Sequence, residues 1–252
     1  MEQYMSTFNN TLLEVLELNG MSDFSSRADK LEALYKALVE TNKLYNLTAV
    51  TDELGVSALH FADSLMAMPY IYEFIGKNGE LSGKKALDIG CGAGFPCLPI
   101  AISAPEMTVN GVDSTAKKVD FSNKFAASIG LDGFSSIAAR AEELAGTEMR
   151  ETYDFVTARA VSRLNVLCEL ALPFVKEGGY FLAMKGSKGA EEYEEAKNGI
   201  EILGGKLIRL DEKELILPSE AQKRTLILIK KVRSTDKKYP RMYSKIVKSP
   251  LK

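Results

Sequence analysis

The sequence predicts an α/β fold, in which a helical region precedes a Rossmann-like, mostly parallel sheet of seven strands. From Gly83 onwards, short apolar runs alternate with amphipathic stretches, as in parallel sheets covered by helices on both faces. The last two apolar runs have no helical stretch between them, which predicts an antiparallel C-terminal strand. The 252 residues are 46% hydrophobic and 26% charged, as is usual for a soluble globular protein.

The predicted elements divide the chain into an N-terminal helical region (1–80), a sheet domain (81–232) and a C-terminal tail (233–252). In the first region apolar residues recur at helical spacing, with a stop at Asn19-Gly20 and a capping turn at 46–52 before the helix that contains His60. The predicted strands are 85–89, 108–112, 135–138, 154–158, 180–184, 206–210 and 225–229. The predicted helices between them are 117–128, 163–175 and 190–202.

Charge and composition exclude several classes of protein. The net charge of −2 is incompatible with a uniformly basic nucleic-acid surface, but residues 230–252 hold nine Lys/Arg and one acid. We expect this tail to be either a solvated extension or a contact for phosphates. No apolar run approaches the ~20 residues of a membrane span, and the first ten residues lack an export signal, so we expect a cytoplasmic protein. Three cysteines and one histidine predict no disulfide framework and no metal site.

The most informative segment is the glycine loop, ALDIGCGAGFP, at residues 86–96. An apolar strand leads into Gly90, Gly92 and Gly94 and then into a helix, so that a ligand can lie against bare backbone. The spacing is G-x-G-x-G and not the dinucleotide fingerprint G-x-G-x-x-G. Asp88 adds a carboxylate that would repel a pyrophosphate but suits the ammonium and sulfonium groups of S-adenosylmethionine. A turn without a ligand and another nucleotide cofactor are the alternatives.

Two later positions extend this cofactor prediction. Asp113, followed by Ser114, ends the second strand, where a carboxylate can accept both ribose hydroxyls. Ala141 and Glu142 follow the third strand, where backbone groups can pair with an adenine edge. An ordinary helix start, at which acids are favoured by the dipole, is the alternative for Glu142.

The methyl acceptor is predicted from the strands that follow. No Asn/Asp-Pro-Pro-aromatic motif follows the fourth strand, and Cys168 lies within a predicted helix, which argues against acceptors that need an oriented amine or a cysteine nucleophile. Arg159 and Lys185 end the fourth and fifth strands. Two cations without a conspicuous base suit an acceptor that needs no deprotonation, such as guanine N7. A salt bridge from Arg159 to Asp154 or Glu142 is the alternative.

Short motifs that occur together are spread along the chain: Asn42-Lys-x-Tyr45-Asn-Leu-Thr48, His60-x-x-Asp63-Ser64-Leu65, the glycine loop with Phe95, Arg140-Ala-Glu142, Ala158-Arg-Ala160, Lys185-Gly186, Arg224 and Tyr239-Pro240-Arg241. With these motifs the chain resembles, over nearly its whole length, the bacterial small-subunit rRNA guanine-N7 methyltransferase family (RsmG, or GidB). The resemblance implies a class I S-adenosylmethionine-dependent methyltransferase that modifies one guanine in the decoding region of 16S rRNA.

The resemblance also implies roles for particular residues. Cofactor contacts are expected from Gly90, Phe95, Ala141, Glu142 and Arg159. Positions facing the RNA or the target guanine are expected at His60, Lys185, Arg224 and the tail. For His60, substrate positioning and a structural hydrogen bond both stay open. The sequence departs from the family between Arg241 and Pro250, where a basic, glycine-containing stretch is usual.

The substrate is therefore expected to be 16S rRNA or the 30S subunit, and the protein is expected to act as a monomer without metal or membrane. Two alternatives stay open at this point. One is a small-molecule methyltransferase of the same fold, in which the basic tail would have no role. The other is a non-catalytic RNA-binding assembly factor with a vestigial glycine loop.

Overall fold

The computed structural model describes residues 6–76 and 80–251, and its centre is a seven-stranded sheet in the order β3-β2-β1-β4-β5-β7-β6. All neighbouring strands are parallel except that β7 runs antiparallel to both β5 and β6. The strands are β1 (Lys85–Ile89), β2 (Thr108–Asp113), β3 (Phe134–Ala138), β4 (Tyr153–Arg159), β5 (Val175–Lys185), β6 (Gly205–Ile216) and β7 (Ala221–Lys231). The order reverses direction between β1 and β4, which is where open α/β sheets bind ligands.

Helices cover both faces of this sheet. The α-helices are α1 (Thr7–Leu18), α2 (Ala28–Asn42), α3 (Glu53–Gly55), α4 (Asp63–Leu65), α5 (Met68–Phe74), α6 (Cys97–Ser103), α7 (Ala116–Ser128), α8 (Ala141–Leu144), α9 (Leu164–Ala171), α10 (Gly189–Ile202) and α11 (Tyr243–Lys248). Short 3₁₀ segments occupy Ser22–Arg27 and Leu172–Phe174, and a π-helical turn, Val56–Ala62, joins α3 to α4. No helix in the described ranges is both long and apolar enough to cross a membrane.

The N-terminal helices share a core with one face of the sheet. Phe8, stacked on Tyr35 with ring centroids 4.0 Å apart, belongs to the same buried cluster as Phe61 and Phe155 of β4. The other sheet face packs against α9 and α10, with Phe181 among its fully buried side chains. The helical region is therefore continuous with the sheet in packing, and the divisions at residues 80 and 232 stay predictions.

The α/β fold with an antiparallel C-terminal strand is confirmed, and every predicted strand and helix has a counterpart. The helix predicted at 163–175 is shorter, because α9 ends at Ala171 and β5 already begins at Val175. The predicted cap before the His60 helix forms, since Asp52 accepts a 2.7 Å hydrogen bond from the Gly55 amide. The π-helical turn has no counterpart in the prediction, because periodicity alone does not distinguish it from an α-helix.

The C-terminal tail packs against the body of the protein. Ile246 of α11 is fully buried and Thr235 is 4% exposed. The Arg241 guanidinium donates to both oxygens of Glu169, a fully buried carboxylate, at 2.8 and 2.6 Å. This part of the chain is therefore no solvated extension. Residues 1–5, used in the prediction that no export signal is present, and Lys252 of the basic tail lie outside the described ranges.

Candidate functional site

The glycine loop connects the carboxyl end of β1 to α6 with three glycines in the left-handed region. The φ angles of Gly90, Gly92 and Gly94 are +74°, +55° and +99°, a backbone that L side chains rarely adopt. The loop is tied to β2, because the Gly92 amide donates to Asp113 Oδ2 at 2.9 Å. The Thr115 amide donates to the other oxygen at 2.8 Å. Each oxygen of Asp113 keeps a further lone pair for a ligand at the crevice.

Three cavities adjoin one another at this end of the sheet. The central cavity, about 530 Å³, is lined by the glycine loop, His60, Phe95, Asp113 and Arg159. The small cavity, about 120 Å³, shares Gly90, Asp113, Ser114 and Val161 with the central one and adds Ala141, Glu142 and Tyr243. The cationic cavity, about 370 Å³, shares Asp63, Arg159 and Ala160 with the central one and adds Lys185, Lys188, Glu192 and Arg224. Together they form one continuous path across the carboxyl ends of β2, β1, β4 and β5.

Asp88 differs from its expected place at the crevice. Its side chain is 1% exposed, and its Oδ1 accepts a 3.0 Å hydrogen bond from the Thr157 hydroxyl of the neighbouring strand β4. Burial raises the pKa of this carboxyl to about 7, although the Thr157 bond opposes the shift. Asp88 lines none of the three cavities, so its side chain lies beneath the glycine loop and not at the surface of the crevice.

His60 and Phe95 form one wall of the central cavity. Their rings are stacked, with centroids 4.7 Å apart and planes at 19°. His60 Nε2 lies 2.9 Å from the Thr48 hydroxyl. Burial lowers the pKa of His60 to about 4, with a further contribution from the charge of Arg159, so the ring is neutral at neutral pH. The helical region thus contributes an uncharged aromatic surface to the sheet's ligand-binding edge.

One carboxylate of the helical region holds two arginines of the sheet. Asp63 Oδ2 accepts from Arg159 Nη1 and Asp63 Oδ1 accepts from Arg224 Nε, both at 2.8 Å. Arg159 Nη1 also donates to the Leu59 carbonyl at 2.7 Å. Asp63, rather than Asp154 or Glu142, is therefore the partner of Arg159. The motif His60-x-x-Asp63 draws attention to this carboxylate in the sequence, but it does not identify the two arginines as its partners.

The remaining predicted site residues also lie along the path. Lys185 Nζ donates to the Ser162 carbonyl at 2.6 Å and pairs with Glu192 at 2.9 Å. Ser114, Ala141 and Glu142 line the small cavity. The structure thus brings every predicted site residue except Asp88 and Gly94 into one contiguous set of cavities, and an added methyl group at Gly94 would meet the Leu98 side chain instead. In the described ranges, no cluster of three or more His, Cys, Asp or Glu is arranged to hold a metal.

Among the cavity residues that were not singled out from the sequence, Val161 and Tyr243 have the most marked positions. Val161 lies over Gly90, where an added methyl group would collide with the valine side chain, and it follows Ala160 at a φ of +55°. Tyr243 reaches the small cavity from α11, about 100 residues after Ala141 and Glu142. Neither position carries a glycine, a charge or a recognisable spacing, so only the tertiary fold reveals them.

The fold and the site together define the class. A sheet of this order with an antiparallel β7, a glycine loop after β1 and an acid after β2 is the Rossmann-like fold of S-adenosylmethionine-dependent methyltransferases. Solved structures of the same fold include a putative RNA methyltransferase from Pyrococcus horikoshii, with a TM-score of 0.51, 14% identity, and coverage of 68% of this chain and 85% of that one. The structure of M. jannaschii TYW2 in complex with AdoMet has a TM-score of 0.51 at 15% identity, covering 67% of this chain and 77% of that one.

Sequence comparison identifies the family within that class. The family model described as "rRNA small subunit methyltransferase G" (GidB) matches residues 27–216. The ribosomal RNA small subunit methyltransferase G of Staphylococcus epidermidis is 47% identical over 240 residues, covering 95% of this chain and 97% of the relative. That of Lactobacillus helveticus is 42% identical over 214 residues, covering 84% and 86%. The chain belongs to the GidB family of small-subunit rRNA methyltransferases, as the sequence motifs predicted.

Proposed function

We propose that this protein transfers the methyl group of S-adenosylmethionine to N7 of a guanine in 16S rRNA. The observation that carries the proposal is the continuous path of three cavities. It begins at a backbone cradle beside Asp113, passes the neutral His60–Phe95 wall and ends among cations. Along such a path, a nucleoside cofactor can bind at the cradle, a flat acceptor at the aromatic wall and a phosphate backbone at the cations.

The small and central cavities fit the cofactor. The positive φ angles of the glycine loop leave bare backbone at the crevice, and a methyl group at Gly92 would meet no atom within 4 Å. We place the ribose at Asp113, whose carboxylate is fixed in orientation by two backbone amides. The adenine then lies in the small cavity beside Ala141 and Glu142. When bound, the cofactor supplies the electrophilic methyl group on its sulfonium.

The chain's own residues suit an acceptor that needs no base. Guanine N7 carries a lone pair already, and direct displacement at the methyl carbon needs alignment more than proton transfer. The neutral His60 ring places no positive charge beside the sulfonium, and its stack on Phe95 offers a flat apolar surface. Arg159 and Lys185 are both held by carboxylates. They therefore serve to position groups.

The cationic cavity suits RNA. It is lined by Arg159, Lys185, Lys188 and Arg224 against the carboxylates of Asp63 and Glu192, which leaves two positive charges in excess. Lys188 is exposed and, within the described ranges, forms no salt bridge. An excess of cations next to the acceptor surface attracts a phosphate backbone and has no purpose for a small neutral acceptor.

Labelled methyl transfer tests the proposal directly. The protein is incubated with labelled S-adenosylmethionine and either unmethylated 16S rRNA or 30S subunits, and the product is digested to nucleosides. We expect labelled 7-methylguanosine, and the ratio between the two substrates identifies the physiological one. Transfer to another nucleoside would refute the N7 assignment, and transfer only to small molecules would refute the RNA substrate.

A pair of glycine variants tests where the cofactor binds. Gly92→Ala and Gly130→Ala impose the same backbone strain, since both glycines have positive φ and an added methyl group meets nothing within 4 Å at either. Only Gly92 faces the central cavity. We expect calorimetry to show a loss of S-adenosylmethionine affinity of tenfold or more in the first variant, on the order of the ~1.4 kcal/mol of one lost contact. Equal affinities in the two variants would contradict the placement.

We also propose that the protein acts as a monomer in the cytoplasm. The proposal is supported by the substrate class, an intracellular RNA, and by the three cavities, which already offer places for cofactor, acceptor and RNA without a residue from a second copy. Sedimentation equilibrium of the protein with and without cofactor checks the oligomeric state. A dimer that persists at nanomolar concentration would contradict the monomer.

A further inference from the structure

The segment after β7, residues 232–251, forms a C-terminal strap that is anchored by charged groups. Lys231, the fully buried last residue of β7, donates to the Leu172 carbonyl at 2.6 Å and to the Thr235 hydroxyl of the strap at 2.7 Å. The Arg150 guanidinium donates to the Thr235 carbonyl at 2.7 Å and to the Tyr239 carbonyl at 2.9 Å. The two bonds of Lys231 are buried and those of Arg150 are partly buried, and burial makes a hydrogen bond stronger than at an exposed surface. The strap therefore has a defined path across the protein.

Two more anchors fix the part of the strap next to the small cavity. The Arg241 guanidinium is held by both oxygens of the buried Glu169 in α9, and Ile246 of α11 is fully buried. Between these anchors the chain presents Tyr243. Its position is determined by one ion pair on one side and one buried apolar side chain on the other, so its ring is held at the rim of the small cavity.

Tyr243 has the surroundings of a ligand contact and not those of a core aromatic. It is 40% exposed, and in the described part of the chain it makes no ring–ring contact. The Arg140 guanidinium lies 5.9 Å from its ring centroid. The lining of the small cavity combines apolar side chains, such as Ile89, Val112 and Leu170, with the polar groups of Asp113 and Glu142. A partly open cavity with apolar walls, a few polar groups and one aromatic ring at its rim is suited to a purine ring.

We propose that Tyr243 is a cofactor-binding residue whose ring packs against the adenine of S-adenosylmethionine, so that the C-terminal strap completes the cofactor site. The inference rests on the proposed placement of the adenine in the small cavity. It assigns the strap, the part of the chain that carries the basic residues of the tail, to cofactor binding in addition to any contact with RNA.

Calorimetry with S-adenosylhomocysteine and with adenosine tests the contact in the absence of RNA. We expect Tyr243→Ala to weaken both ligands by the same factor, about 5- to 30-fold, as for the loss of one base–aromatic stack at a partly exposed position. Tyr243→Phe keeps the ring and should stay within about twofold of the wild type. Val247→Ala, on the exposed side of the same helix, is the matched control and should leave both affinities unchanged.

A fluorescence experiment gives a readout that a structural role would not change. The chain contains no tryptophan, so Tyr243→Trp introduces a single one. We expect quenching of its emission on addition of S-adenosylhomocysteine, because the adenine stacks on the indole. The same substitution at Val247 should give no change.

The outcomes separate this inference from the proposed function. Unchanged affinity in Tyr243→Ala, or an unquenched tryptophan while calorimetry shows binding, would overturn the role of Tyr243 and leave the cofactor in place. If Tyr243→Ala fails to fold, the phenylalanine and tryptophan variants decide the matter. Failure of the wild-type protein to bind S-adenosylmethionine or S-adenosylhomocysteine would instead overturn the proposed function.

Discussion

Removal of the Asp63 carboxylate should destabilise the protein strongly. The Asp63 side chain is 9% exposed and those of Arg159 and Arg224 are 13% and 17% exposed, so all three charges are largely shielded from water. Asp63→Ala leaves two guanidiniums facing each other without the carboxylate between them. Loss of one partner from a buried ion pair costs about 3–5 kcal/mol. For a chain of this size that corresponds to a fall in Tm of roughly 6–20 °C.

The assay is urea unfolding combined with calorimetry on Asp63→Ala, Asp63→Asn and a control. Asp120→Ala removes a carboxylate from a 3.7 Å pair with Lys124 in which both side chains are more than 70% exposed. The control should change the free energy of unfolding by less than about 0.5 kcal/mol, because exposed pairs contribute little. The asparagine variant keeps one acceptor oxygen, so we expect it to fall between the wild type and the alanine variant.

A double-mutant cycle shows whether the loss comes from the proposed pairing. Since Asp63 and Arg224 are in contact, the free energies of the single variants Asp63→Ala and Arg224→Ala should fail to add by about 1–3 kcal/mol in the double variant. A loss below about 1 kcal/mol for Asp63→Ala, or additivity within about 0.5 kcal/mol, would refute the reasoning. The ion pair between Asp63 and Arg224 would then contribute no measurable stability.

The remaining predictions concern pH and salt. Between pH 5 and 7, His60 and Asp88 should affect stability in opposite directions. Because the pKa of His60 is lowered to about 4, only the unfolded chain binds this proton as the pH falls from 7 to 5. The free energy of unfolding of the wild type should therefore fall by about 2 kcal/mol over this range, and His60→Gln should abolish that decrease. Because the pKa of Asp88 is raised to about 7, only the folded chain keeps this proton as the pH rises from 5 to 7. The contribution of Asp88 to the free energy of unfolding should therefore fall by about 2 kcal/mol over this range, and Asp88→Asn should abolish that decrease. Urea unfolding at both pH values checks the signs; two variants with the wild-type slope would contradict the burial argument. In RNA binding, Lys245→Ala with Lys248→Ala, both exposed on α11, should reduce the slope of log K against log salt by about 1 to 2, and an unchanged slope would show that these lysines touch no phosphate.

Local features of the sequence predicted the fold and the position of the glycine loop and Asp113 at one edge of the sheet. The strand runs, the glycine loop and Asp113 each carry their signal within about ten residues, because backbone conformation and strand ends depend on near neighbours. Asp113 ends β2 and bonds the glycine loop, as its position at a strand end favours. The prediction for Asp88 shows the limit of such local signals. The end of β1 was identified correctly, but the sequence does not show that the Asp88 side chain lies under the loop, opposite Thr157 of β4.

The sequence pattern did not predict ion pairs between residues that are far apart in the chain. The alternative partners considered for Arg159 lie within about 20 residues of it, whereas Asp63 is 96 positions away and Arg224 joins the same carboxylate from 161 positions away. Charge counting in the tail failed similarly, because it cannot distinguish an exposed lysine from Arg241, which is held by a buried glutamate. Such pairings depend on tertiary packing, which no periodicity encodes.

The cations near the acceptor end of the path fall into two groups with different functions: those paired with carboxylates and those exposed without a partner in the described part of the chain. Arg159 and Arg224 share the carboxylate of Asp63 and Lys185 pairs with Glu192, so only one of these three largely buried charges is left uncompensated, and their main contribution is to hold the acceptor end of the path in shape. Attraction of a polyanion over several ångströms depends on uncompensated charge. That charge lies on exposed lysines such as Lys188 at the cavity and those of α11. Substitution of the paired cations should therefore lower turnover at saturating RNA, whereas substitution of the exposed lysines should weaken RNA binding without changing that turnover.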